Sequence, residues 1–121
     1  MQATILVVDD AVMIHRIITQ ILKPGGYKVL KAVNGQEGYE MAKKFKPNVI
    51  IMDIEMPVMC GVESTRLIKS DPETSNIPVV FFTSLASEEQ IEECKEAGAH
   101  SFLNKPVSKE AIIESVNSLT A

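Results

Sequence analysis

Five short apolar runs alternate with five stretches of helical periodicity along this chain of 121 residues, and that alternation limits the folds open to it. The runs are rich in Val, Ile and Phe, which is typical of buried strands. They span residues 5–8, 28–32, 49–52, 79–82 and 101–103. Strands that alternate with helices indicate a parallel sheet with helices on both faces, joined by right-handed crossovers.

Turn residues mark where the five predicted helices begin and end. Helix-stopping Pro and Gly residues follow the first four helices, and a capping serine precedes the fifth. These signals are Pro24-Gly25-Gly26, Pro47, Asp71-Pro72, Gly98 and Ser108. The helices therefore fill the gaps between the strands, with no linker or repeat along the chain.

Length and composition indicate a single domain over residues 1–121. A closed eight-stranded barrel usually needs about 250 residues, so an open, doubly wound five-stranded sheet in the order 2-1-3-4-5 is expected. Hydrophobic residues make up 45% of the chain and charged residues 23%, as in soluble globular proteins. The net charge of −4 gives no basic surface for nucleic acid or an anionic membrane.

The start of the chain and its cysteines predict a cytoplasmic location. Residues 1–4 include no basic segment and no long apolar stretch, so neither a signal peptide nor a membrane span is expected. Cys60 and Cys94 stand alone, without CxxC spacing or a histidine cluster. We expect both to be reduced thiols rather than a disulfide or zinc ligands.

Three aspartates directly follow two of the predicted strands. Asp9 and Asp10 come after strand 1, and Asp53 comes after strand 3. Strands 1 and 3 are neighbours in the order 2-1-3-4-5, so the three carboxylates should meet at the carboxyl edge of the sheet. At about 4 Å and an effective dielectric near 20, each pair repels by about 4 kcal/mol. A bound cation is therefore expected there.

Two further polar residues follow strands 4 and 5. Thr83 comes after strand 4 and brings a hydroxyl to the same edge, and Lys105 comes after strand 5 and brings an ammonium. Carboxylates for a hard divalent cation, a lysine and a hydroxyl together suit phosphoryl chemistry.

With these residues in place, the chain resembles the receiver domains of two-component response regulators from residue 4 to about residue 119. The resemblance rests on Asp9-Asp10, on Asp53 within the segment 53–61, on Thr83-Ser84 and on Lys105-Pro106. Each element alone is weak, but the ordered set at the ends of the right strands is specific. The family has a flavodoxin-like fold, and a chemotaxis member is a standard example of the order 2-1-3-4-5, so that order is not an independent prediction.

The resemblance implies a role for each acidic residue. Asp53 is the implied phosphoacceptor, whose carboxylate attacks a phosphohistidine of a histidine kinase or a histidine phosphotransfer protein. Asp10 is an implied direct ligand of Mg²⁺, or of Mn²⁺ in its place, together with Asp53, and Asp9 acts through water. The backbone carbonyl of Glu55 is the implied last protein ligand.

The resemblance also implies a switch. Lys105 pairs with the phosphoryl group, Thr83 moves inward to bond it, and Phe102 turns inward when Thr83 moves. The rim positions Glu55 and Leu85 help to set the lifetime of the phosphoryl group, and the bond between Lys105 and Pro106 is often cis in this family.

Partners and output follow from the same resemblance and from the helix patterns. Helix 1 carries more apolar residues than one buried stripe needs, so Val12 or Met13 is expected to contact the kinase. An unknown downstream protein is expected to bind the surface of helix 4, strand 5 and helix 5. The domain is predicted to be a monomer or a weak dimer that catalyses only its own phosphorylation and autodephosphorylation. A stand-alone regulator and a receiver cut from a longer protein both remain open.

Other interpretations remain beside this one. A magnesium-dependent phosphohydrolase with an aspartyl nucleophile uses a similar residue set, and a flavin-binding electron carrier shares the fold. Asp9-Asp10 also fits the start of helix 1, and Phe102 also fits a core position. His15 and His100 are expected to be surface or helix-packing residues.

Overall fold

A computed structural model describes residues 2–84, 87–105 and 108–120 and contains one five-stranded parallel sheet. Its strand order is β2-β1-β3-β4-β5, which confirms the predicted fold class. The strands are β1 Thr4–Val8, β2 Lys28–Ala32, β3 Val49–Met52, β4 Val79–Thr83 and β5 Ser101–Asn104. All residues of β3 and β4 are buried, because helices cover both faces of the sheet.

Five helices connect and flank the strands. They are α1 Val12–Leu22, α2 Gly35–Phe45, α3 Gly61–Ser70, α4 Glu88–Ala97 and α5 Lys109–Thr120. Helix α1 ends at the predicted segment Pro24-Gly25-Gly26, where a short 3-10 turn over Lys23–Gly25 follows it and Gly26 adopts a φ of 88°. Within the described ranges, no helix is both long enough and apolar enough to cross a membrane.

Alternate residues of each strand pack into two separate core layers. Leu6, Val8, Ile50, Met52 and Phe81 face α2, α3 and α4. Ile5, Val7, Ile51 and Phe82 face the other side, where Ile18 of α1 and Ile112 of α5 cover them. Because this packing fixes the register of the sheet, it also fixes which residues meet at the carboxyl edge.

Three strands are one residue longer than the sequence predicts, since β1 begins one residue earlier, at Thr4, and β4 and β5 end one residue later. Strand β4 includes Thr83, and β5 includes Asn104, which is its register partner. The backbone N–H of Lys105 donates to the carbonyl of Thr83 at 2.7 Å and so continues the pairing. Thr83 is therefore held by the sheet rather than by a loop.

Val58 adopts an unfavourable backbone conformation in the loop between β3 and α3. Its φ is 70°, and its side chain is 82% exposed, so little packing offsets the strain of a β-branched residue there. Replacing Val58 with glycine should raise the free energy of unfolding by about 1 kcal/mol in urea titrations. The matched change Val33→Gly, at an exposed valine without positive φ, should give no gain. A lower stability of Val58→Gly than of the wild type would contradict this account of the loop.

Candidate functional site

The ladder between β1 and β3 brings the three predicted aspartates together. Val8 and Met52 are register partners, and the N–H of Asp53 donates to the carbonyl of Val8 at 2.9 Å. Carboxylate oxygens of Asp9, Asp10 and Asp53 all lie within 4.8 Å of one another. The sheet topology therefore places three acids at one point of its carboxyl edge.

Asp9 is the anchored member of the cluster, with 2% of its surface exposed. Its Oδ1 accepts the N–H of Ala11 at 2.9 Å, and its Oδ2 accepts the ammonium of Lys105 at 2.9 Å. The carbonyl of Asp9 is also 2.6 Å from Nε2 of His15. Every oxygen of Asp9 thus has a protein partner, which suits a fixed counter-charge rather than a reacting group.

Asp53 is less completely engaged. Its Oδ1 accepts the N–H of Ile54 at 2.9 Å and lies 3.7 Å from Nζ of Lys105. Burial, and then the negative charge of Asp9, raise the pKa of Asp53 from 3.8 to about 6, although Lys105 opposes that rise. Among the described residues, none donates a hydrogen bond to Oδ2 of Asp53. That oxygen is positioned to bind a metal or to attack a phosphorus atom.

The donor set and its charge fit a hard divalent cation. Asp10 is exposed, Asp53 is half-buried and Asp9 is buried, so the cluster reaches from the protein interior to solvent. Among the described residues, three carboxylates lie near the one ammonium of Lys105, and burial together with the charge of Asp9 raises the pKa of Asp53 despite that ammonium. Oxygen ligands on one side and solvent on the other match Mg²⁺, which keeps several of its waters.

The loop after Asp53 folds tightly back against the end of β3. The N–H of Gly61 donates to the carbonyl of Ile54 at 2.7 Å, and a Cβ on Gly61 would overlap the carbonyl oxygen of Asp53. The side chain of Glu55 is turned toward α4, where Nε2 of Gln90 donates to its Oε1 at 3.4 Å. The role of the Glu55 carbonyl as a metal ligand remains a prediction.

Thr83 and Phe102 lie on the strands next to the acids. Thr83 is buried and linked to Lys105 through the backbone. The half-buried ring of Phe102 stacks on Phe81, with centroids 6.0 Å apart and an interplanar angle of 20°. The predicted movement of Thr83 and Phe102 remains a prediction, and the predictions for Leu85 and Pro106 lie outside the described residues.

Three contacts of the site were missed by the sequence interpretation. The sequence predicts a contact of Lys105 with the phosphoryl group alone, but Lys105 pairs with Asp9 and also lies over the ring of Phe82, 5.2 Å from its centroid. Of the two predicted alternatives, His15 is a helix-packing residue, buried and in contact with the backbone of Asp9, and His100 is a surface residue. The only sequence signal for Phe82 is its position directly before Thr83.

Comparison with known protein families gives evidence that does not depend on the geometry of the site. The family described as "Response regulator receiver domain" matches residues 5–117. The chain is 40% identical over 119 residues to Protein PilH of Pseudomonas aeruginosa, covering 98% of each chain. It is 29% identical over 118 residues to the polar-differentiation response regulator DivK of Brucella anthropi, covering 98% of this chain and 96% of that one.

Solved structures agree with the sequence matches. Chemotaxis protein CheY4 of Vibrio cholerae superposes with a TM-score of 0.91 at 31% identity, covering 98% of this chain and 99% of that one. The receiver domain of a sensor histidine kinase from Pseudomonas aeruginosa, with a magnesium ion coordinated in its active site cleft, gives a TM-score of 0.90 at 25% identity and 98% coverage of both. These relatives are receiver domains, so the phosphohydrolase alternative gains no support.

Proposed function

The chain belongs to the response regulator receiver domain family, and from that premise we propose that Asp53 is its phosphoacceptor. Receiver domains act with histidine kinases or phosphotransfer proteins in two-component signalling, and such a partner would donate the phosphoryl group here. The observation that carries the proposal is the position of Asp53, half-buried in the acid cluster with Lys105 Nζ 3.7 Å from Oδ1. The match over residues 5–117 supports one receiver domain across residues 1–121.

The proposed step is a displacement at phosphorus. The carboxylate of Asp53 forms a new O–P bond while the P–N bond to the partner's histidine breaks. The leaving ring nitrogen takes up a proton, so that the histidine ends as neutral imidazole, and Asp53 becomes an acyl phosphate. Lys105, already beside the carboxylate, is placed to pair with the phosphoryl oxygens. Hydrolysis of the acyl phosphate by water would return the domain to its starting state, so its only catalysis is on itself.

Receiver domains bind Mg²⁺ at an acidic site, and we assign that site here to Asp10, Asp53 and the carbonyl of Glu55, with Asp9 acting through water. The hydrogen bonds that already occupy both carboxylate oxygens of Asp9 support its indirect role. The exposure of Asp10 to solvent supports its role as a direct ligand of the metal. Mg²⁺ or Mn²⁺ bound by these residues would neutralise charge on the phosphoryl oxygens.

Phosphorylation then shifts a balance between two conformations of the domain. The phosphoryl group favours the active conformation only through contacts that are better there, which we assign to Lys105 and Thr83, with Phe102 following. One charge-assisted pair and one hydrogen bond together contribute about 2–5 kcal/mol. A full shift from 1:99 to 99:1 needs about 5.5 kcal/mol, so the expected shift is large but incomplete.

We assign the downstream contact to the surface of α4, β5 and α5. Helix α4 exposes five glutamates against one lysine, which disfavours DNA and suits a basic or polar protein partner: Glu88, Glu89, Glu92, Glu93 and Glu96. A cytoplasmic domain, monomeric or weakly dimeric, fits this mode of action by protein binding.

The upstream contact is assigned to the start of α1, where Val12 is 68% exposed and Met13 is 61% exposed directly after the acid cluster. Replacing both with serine should slow phosphotransfer from a histidine kinase that phosphorylates the wild type, because apolar contact area is lost. Phosphorylation by a small-molecule donor should stay unchanged. The control Phe45→Ser, at an exposed residue of the far end of α2, should leave both rates unchanged. Equal transfer to the double variant and the wild type would contradict this assignment.

Incubation with Mg²⁺ and acetyl phosphate, followed by intact mass spectrometry, tests the proposed function. The wild type should carry one labile phosphoryl adduct, and Asp53→Asn should carry none. A variant at an exposed acid away from the site, Glu96→Gln, should be phosphorylated as the wild type is. Turnover of many phosphate esters without an adduct would favour the hydrolase instead.

A further inference from the structure

The ammonium of Lys105 lies between two kinds of partner. On one side are the carboxylates, with Asp9 Oδ2 at 2.9 Å and Asp53 Oδ1 at 3.7 Å. On the other is the face of the Phe82 ring, whose centroid is 5.2 Å from Nζ. A cation within about 6 Å of an aromatic centroid, over the face of the ring, is attracted by the negative charge of that face.

The ring of Phe82 is itself fixed in place. It is 4% exposed and belongs to the core layer beneath α1 and α5, which also includes Val80 and Ile112. Strand β4 holds its backbone, because Phe82 pairs in register with Leu103 of β5. Lys105 lies after the end of β5, and its side chain is 19% exposed, whereas the ring of Phe82 is enclosed by the core.

The ring therefore limits where the ammonium can go. The carboxylates attract Nζ, and the hydrophobic ring covers one side of it and keeps water from that side. Phe81, the preceding residue, faces the opposite core layer and has no such contact with Lys105 among the described residues. Strand β4 thus carries two buried phenylalanine rings, and among the described residues only the ring of Phe82 lies next to the Lys105 ammonium.

We propose that Phe82 is a positioning residue: its ring face holds the Lys105 ammonium beside Asp53 and so raises the rate at which Asp53 is phosphorylated. This role rests on the proposed function, since it assumes that Lys105 pairs with the incoming phosphoryl group. A positioning residue acts through another group, so its effect should follow the charge on the ring face rather than the volume of the side chain.

Stepwise fluorination of residue 82 tests that distinction. Phenylalanine analogues with one, two and three ring fluorines keep nearly the same shape but weaken the negative face progressively. The rate of phosphorylation by phosphoramidate with Mg²⁺ should fall with each fluorine, by about threefold to tenfold in total. The rate of the Phe82→Leu variant should fall by at least as much. Thermal stability should stay nearly constant across the fluorinated series.

A second measurement needs neither metal nor phosphodonor. The ring current of Phe82 should shift the ε-methylene protons of Lys105 upfield in the metal-free protein, with the signal assigned by its loss in Lys105→Met. Phe82→Leu should abolish the upfield shift, and the matched change Phe81→Leu, in the opposite core layer, should preserve it.

The possible results separate the two proposals. A rate that is flat across the fluorinated series, or a Lys105 signal that does not respond to Phe82→Leu, overturns the positioning role. If the wild type forms no adduct at all, the proposed function fails, and the Lys105 signal then decides alone whether Phe82 holds the ammonium. A graded loss of rate together with loss of the upfield shift supports the role.

Discussion

Replacing Lys105 with methionine should lower the free energy of unfolding by about 3–5 kcal/mol near neutral pH when no divalent metal is present. Methionine keeps most of the apolar stem but removes the ammonium. Asp9, which is 2% exposed, would lose the counter-ion 2.9 Å from its Oδ2, and Asp53 would lose the one 3.7 Å away. Removing one partner of a buried pair leaves an uncompensated charge, which is the costly case.

The loss should depend on pH and on metal in a definite direction. Lys105 lowers the pKa of Asp53, so without it the native pKa of that carboxyl rises further. The native state then binds more protons than the unfolded state at pH values between the unfolded and the native pKa of Asp53. The stability of Lys105→Met relative to the wild type then falls as pH rises, so its loss in free energy of unfolding should be larger at about pH 8 than at about pH 5. Added Mg²⁺ should restore much of the stability that Lys105→Met loses.

The control Lys28→Met, at an exposed residue of β2, should change stability by at most about 0.5 kcal/mol. A loss below about 1 kcal/mol for Lys105→Met would mean that the pair behaves as a surface salt bridge.

Replacing Asp53 with asparagine should have the opposite effect and stabilise the metal-free domain by about 2–3 kcal/mol near pH 8. The carboxylate is 13% exposed, and burial and Asp9 raise its pKa from 3.8 to about 6. A raised native pKa means that deprotonation costs more in the folded than in the unfolded state. That cost is absent below about pH 4 and fully present above about pH 6, so the gain from asparagine should vanish at the acidic end.

Urea titrations of both proteins across this pH range, with and without Mg²⁺, measure the effect. Mg²⁺ should stabilise the wild type more than Asp53→Asn and so narrow the difference between them. Asp71→Asn is a control with the opposite sign, since the hydrogen bond from Tyr39 lowers the pKa of Asp71. A wild type more stable than Asp53→Asn in the absence of metal would contradict the electrostatic account of the cluster.

The fold and the meeting of the acids follow from sequence pattern because both depend on the backbone. Five alternations of strand and helix determine the class, and residues that end neighbouring parallel strands must share an edge. The strand order itself came from the known pattern of such sheets. The ends of β4 and β5 were each placed one residue too early, because the hydrogen bond from Lys105 to Thr83 that extends them joins distant parts of the chain.

The side-chain contacts of the site could not be predicted in the same way. Whether Lys105 pairs with Asp9, with Asp53 or with solvent depends on rotamers and on the loop after β5, which no periodicity encodes. The same holds for the ring of Phe82 beneath that lysine and for the contact of His15 with the carbonyl of Asp9. Such contacts depend on packing between elements far apart in sequence.

Reduction of the phosphorylated protein with borohydride, followed by peptide mapping, tests most directly whether Asp53 is the phosphoacceptor. An aspartyl phosphate is reduced to homoserine, whereas unmodified aspartate is not, so the product marks the residue that carried the phosphoryl group. We predict homoserine at position 53 after treatment with acetyl phosphate and Mg²⁺, and none when a chelator removes the metal. Homoserine at position 9 or 10, or a phosphoryl group that resists reduction and maps to a hydroxyl side chain, would contradict the assignment.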